Sequence, residues 1–157
     1  TIVVAMAATA CGGTEKPAPT AESASTTTVT TQTDPAADAA IAVCRQVISS
    51  AGVMIRDYNA FIKRLNATHD YGEIGNEDRY ARETFATGAE LIRRSLTPQV
   101  PEDVESKVQA FLTATDQLAE QISKRNKLAL NRGMADWSDR RTELLDACGE
   151  FMPVGTN

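Results

Sequence analysis

From residue 35 onward, apolar residues recur every three or four positions, in four successive blocks. In the first, Ile41, Cys44, Ile48, Ala51, Ile55, Tyr58, Ile62 and Leu65 alternate at spacings of three and four. A second row, Val47, Met54 and Phe61, widens that stripe into a core-facing side rather than a bare coiled-coil seam. One long helix over residues 35–68 is expected. Asp34 can cap it, and Pro35 suits the first helical position, where its missing N–H costs nothing. Gly52 is its weak point, costing about 1 kcal/mol against Ala.

Residues 69–75 carry two glycines and read as a turn. Asn76 is placed to cap a second helix, with Glu77 and Asp78 in the first turn, where acids favour the helix dipole. Ala81, Phe85, Gly88, Ile92 and Leu96 mark its inner side, with Leu91 alongside. Thr97-Pro98-Gln99-Val100-Pro101 stops it and starts a third helix with Glu102, Asp103 and Glu105 at its head. Val104, Val108, Phe111, Leu112, Leu118 and Ile122 form the inner side of that helix, which is expected to run towards Asn131 with Gly133 as its C-cap. The fourth block holds Met134, Trp137, Leu144, Leu145, Cys148 and Phe151. No strand pattern competes after residue 35. Four helices with short connections imply an all-α domain, an antiparallel up-down four-helix bundle over residues 35–157.

The first 34 residues are of another kind. An apolar run, residues 1–10, ends in Ala8-Thr9-Ala10 and meets Cys11-Gly12-Gly13. Ten apolar residues are too few to span a bilayer, which needs about 20. An apolar h-region followed by small residues and a cysteine resembles the lipobox of bacterial lipoproteins. No basic residue precedes it, Ala8 stands where that family usually has Leu, and the chain opens on Thr1, so its true start is expected to lie upstream. The resemblance implies that residues 1–10 are the remnant of a signal peptide. It also implies that Cys11 is diacylated on sulfur, becomes the mature N-terminus and anchors the protein to the outside of the cell membrane. A buried core element is the alternative for this run, but the next twenty residues offer it no neighbours. Residues 11–34 hold Val29 as their one large apolar side chain, among Ser, Thr, Pro and Ala, and cannot offset the entropy of ordering. They read as a linker, either a plain spacer or an O-glycosylated stalk of the sort actinobacterial lipoproteins carry.

With Cys11 assigned to lipid, Cys44 and Cys148 remain, near the two ends of the helical domain. Paired cysteines in an exported protein are usually a disulfide, and up-down topology brings those helix ends together. Closing about 100 residues stabilises by about 4–5 kcal/mol in the chain-entropy model. One tension stands. Cys44 lies about 37 Å below the top of the first helix, and Cys148 about 22 Å below the top of a fourth helix that starts after Gly133. Either the 69–76 loop lowers the second helix, or a helix bends, with Gly52 as a candidate.

The 157 residues carry a net charge of −5, which falls to −3 from Pro35 onward. Such a balance argues against a nucleic-acid partner. Aromatic residues make up 5% of the chain, too few for stacking platforms. Catalytic chemistry is thinly represented. His69, the one histidine, sits beside Asp70, Tyr71 and Glu73 without a second His or a Cys cluster to make a metal site or a base–acid pair. There is no nucleophile elbow, P-loop, Glu-Xaa-Xaa-His or Cys-Xaa-Xaa-Cys motif. No catalytic residue, metal or cofactor is therefore assigned. Asn66-Ala67-Thr68 matches a glycosylation sequon that would be silent in a bacterium.

Two features bear on binding. Arg56, Asp57, Tyr58, Asn59, Arg64 and Asn66 interleave polar groups with the apolar stripe of the longest helix, as a groove lining or a solvated face. Thr115, Arg125 and Arg141 fall at core-facing positions; a buried Arg would need an acid such as Asp57, Asp139 or Glu143, or else snorkels outward. The expectation is a membrane-anchored, extracytoplasmic lipoprotein, similar to small actinobacterial lipoproteins of unknown function. Its bundle would act as a non-enzymatic interaction or scaffold module with a partner in the cell envelope. The alternative is a lipid- or amphiphile-binding protein with a cavity between the helices.

Overall fold

The computed structural model describes residues 34–152. The signal segment, Cys11 and the linker to residue 33 lie outside the described residues. Four helices follow in order: α1 Pro35–Thr68, α2 Glu77–Ser95, α3 Glu102–Ser123 and α4 Lys127–Gly149. No strand occurs among the described residues. Asp34 caps α1 as expected, its carboxylate accepting from the Ala36 N–H at 2.9 Å. Asn76 precedes α2 without making a side-chain cap bond.

Consecutive helices pack on one another, α1 on α2, α2 on α3 and α3 on α4, while the closing pair α1 and α4 touches much less. A chain of rings crosses the core. Phe61 of α1 meets Tyr58, Tyr58 meets Phe85 of α2, Phe85 meets Trp137 of α4 at 5.9 Å, and Trp137 meets Phe111 of α3 at 5.2 Å. Trp137, Phe61, Phe85, Phe111 and Met54 are fully buried. Thr115 is buried as well, and its polarity is satisfied within the core. The Trp137 indole N–H donates to Thr115 Oγ1 at 3.0 Å, and that hydroxyl donates to the Phe111 carbonyl at 2.8 Å.

The inner side of α1 is rotated from the expected stripe. Ala40, Val43, Val47, Met54 and Phe61 are buried at its centre, with Cys44, Ala51, Tyr58 and Leu65 beside them. The isoleucine row is displaced outward: Ile41, Ile55 and Ile62 are half-buried and Ile48 is 46% exposed. By length and composition α1 is also apolar enough to cross a membrane. Here its apolar side forms the core of the bundle.

The boundary between α3 and α4 differs from expectation. α3 ends at Ser123, Arg125 turns the chain at φ 55°, and Asn126 caps α4 by accepting from the Ala129 N–H. Gly133 is no C-cap; it lies inside α4, where a Cβ would stand 3.2 Å from Leu118 Cδ1. This earlier start resolves the disulfide geometry. Cys44 is about 36 Å from the Thr68 end of α1 and Cys148 about 32 Å from the Lys127 end of α4, so the two nearly match. α1 runs unbroken through Gly52, and Cys44 and Cys148 are bridged, with Cα atoms 5.7 Å apart.

Candidate binding groove

Where α1 passes α2 the facing side chains are small. Gly88 lies against Met54 and Ser50 of α1. An added Cβ would collide with Met54 Cε and stand 3.3 Å from Ser50 Cβ. Ser49, Thr84 and Thr87 continue this run of short side chains, so the two helices meet closely and leave an open trough of about 410 Å³ above their contact. Val53, Tyr80 and Leu91 rise along it, 40%, 46% and 43% exposed. Gln46 and Ala60 mark its ends on α1.

The charged side chains that line the trough are Asp57, Glu77 and Glu83, all acidic. Asp57 accepts from Arg56 Nε at 2.7 Å and from Thr84 Oγ1 at 2.5 Å, which ties α1 to α2. The Arg56 hydrogen bond holds the Asp57 carboxyl below the usual carboxylate range; partial burial opposes it, and the Thr84 hydroxyl reinforces it. Arg79 bridges to Glu83 at 3.0 Å and lies over the Tyr80 ring at 4.8 Å.

The polar residues singled out on α1 do not share one surface. Asp57 lines the trough. Tyr58 faces the opposite way, into the core, and donates to the Leu130 carbonyl at 3.3 Å. Burial pushes its phenol up to about 12. Arg56, Asn59, Arg64 and Asn66 are exposed. Arg125 is in the turn before α4, 5.5 Å from the Tyr71 ring and 4.0 Å from Asp78. Arg141 pairs with none of the acids considered for it, and its guanidinium lies 5.8 Å from the Trp137 ring centre. His69 is exposed and ends α1 in the left-handed conformation, its N–H donating to the Leu65 carbonyl. Its own carbonyl accepts from Lys127 Nζ at 2.6 Å, clasping the two loops at that end of the bundle. Among the described residues no three His, Cys, Asp or Glu side chains gather as metal ligands would.

Sequence reasoning missed the trough. Val53 and Tyr80 fell outside the expected inner sides, and their exposed apolar surface was the available signal. A second open groove, about 590 Å³, lies between α3 and α4 and is bordered by Gln117, Gln121, Arg132 and Asp136.

A family model, the Rv2240c four-helix bundle domain, matches residues 20–149. The chain belongs to that family. The match takes in all four helices and both bridged cysteines, and the mycobacterial name of the Rv2240c family accords with a helical domain of actinobacterial type. No curated protein and no solved structure matches the chain.

Proposed function

We propose that this member of the Rv2240c family is a lipid-anchored, extracytoplasmic interaction module. In this reading Cys11 holds the protein to the membrane, residues 12–34 act as a tether, and the bundle offers the α1–α2 trough to a protein partner in the cell envelope. The observation that carries the reading is the contrast between core and trough. Rings and aliphatic side chains fill the centre of the bundle, yet Val53, Tyr80 and Leu91 are kept in water along one trough. Apolar surface gathered in a groove is the usual mark of a contact site.

The alternative, a carrier for a lipid or amphiphile between the helices, has less support. Trp137, Phe85 and Phe111 occupy the space such a ligand would need, and both grooves described above are open to solvent. A catalytic role for His69 has less support still, because it stands exposed as a helix cap.

Site-specific photocrosslinking in the native host tests the proposal. A benzophenone side chain at Leu91, on the rim, is expected to give a discrete protein adduct in the membrane fraction. The same probe at Leu128, 92% exposed in the first turn of α4, is expected to give none. No adduct from Leu91, or the same adducts from both positions, contradicts it.

A further inference from the structure

We propose that the trough takes a helix of a partner protein that carries an apolar side chain and, four to seven residues away on the same side, a lysine or arginine. This deepens the reading above and rests on it, since it names the chemistry of the partner. The trough is polarised along its length. The Asp57–Thr84 hydrogen bond, at 2.5 Å, sets the level at which the two helices face each other. All three lining carboxylates lie at or beyond that level: Asp57 and Glu83 beside it, Glu77 further along with Tyr80. In the other direction, Val53 is four residues from Asp57 and Leu91 seven from Thr84, displacements of about 6 and 10 Å. One half is thus an apolar seat and the other an acidic one. On a partner helix the same separations correspond to four and seven residues. From Gln46 to Ala60 the trough is about 21 Å long, room for four turns laid in the groove between two helices.

The acidic half is available to a cation. Glu77 forms no ion pair among the described residues. Arg56 and Arg79 hold Asp57 and Glu83 from outside the trough, and their side chains are 70% and 46% exposed, so an incoming base exchanges with them readily. Tyr80 already carries the Arg79 guanidinium over its ring, which shows that its π-face accepts a cation. A helix with an anionic face meets three carboxylates instead.

Two synthetic amphipathic helices test this, one with Leu and Lys at the stated spacing and one with Glu in place of Lys. Each is titrated into the full chain while backbone amide resonances are followed. The Lys peptide is expected to give saturable shifts at Val53, Tyr80 and Leu91, weakening as salt rises, and the Glu peptide none. Glu77→Gln with Glu83→Gln is expected to weaken the Lys peptide about tenfold, and Glu77→Lys with Glu83→Lys to reverse the preference. Shifts that ignore peptide charge, map elsewhere or survive both variants unchanged overturn the proposal. Crosslinking from Leu91 is independent of this result. An adduct there without peptide discrimination leaves the interaction reading standing and removes only the basic helix.

Discussion

Thr115 and Tyr58 each carry a hydroxyl into the bundle and pair it there. Thr115→Val keeps the shape of the side chain but leaves the Trp137 indole N–H without its acceptor in the core. The expected cost is about 1–3 kcal/mol, read from the urea midpoint. Thr115→Ser restores the acceptor and should recover most of that loss; a Thr115→Val chain as stable as the native one would mean that the hydrogen bond contributes nothing. Tyr58 gives the fold a sensitivity to alkali. Its phenol is pushed from its ordinary value near 10 up to about 12, mainly by burial. The folded chain therefore holds that proton more tightly than the unfolded chain. The resulting stability is intact below pH 10 and is lost as pH rises towards 12. Denaturation at pH 9 and above should show the native chain losing stability more steeply than Tyr58→Phe. Parallel slopes would remove Tyr58 as the cause.

At the scale of the element, two glycines have opposite expected effects. Gly52 has nothing within 4 Å of the place a Cβ would take, so Gly52→Ala should stabilise α1 by about 1 kcal/mol through helix propensity alone. Gly88→Ala gains the same propensity but drives its methyl into buried Met54, and overpacking of that kind costs about 1–3 kcal/mol. Thermal melts should move up for the first and down for the second. An upward shift for Gly88→Ala would mean that the end of the Met54 side chain moves aside without loss of packing. The same scale shows what the sequence does and does not disclose. The start of α1 was readable because Asp34 and Pro35 carry a local chemical signal. The α3–α4 break was not, because Lys124 and Arg125 are ordinary helix formers and the nearby Gly133 looks like a terminator; the Asn126 cap was the sign to follow. Ile48 misled for another reason. Two registers of three and four overlap on α1, and packing against α2, which decides between them, is a tertiary fact. The trough was hidden likewise, since it exists only where α1 and α2 meet.

For the whole molecule, up-down topology places the α1 start beside the α4 end, and the Cys44–Cys148 bridge joins them across 104 residues. A loop of that size is worth up to about 4–5 kcal/mol in the chain-entropy model. Both cysteines are fully buried, so reductant is expected to reach the bridge only when the bundle opens. α1 and α4 touch least of all neighbouring helices, and the bridge closes the bundle where packing does so weakly. A covalently closed bundle suits the location proposed above, since disulfides persist outside the cytoplasm. The most direct test of this account is the intact mass of the protein taken from the membrane fraction of its host, unfolded with and without reductant. The account predicts a chain that begins at Cys11, carries a diacylglyceryl group and gains two hydrogens on reduction. A chain that retains the residues before an unmodified Cys11, or whose mass does not change on reduction, would contradict it.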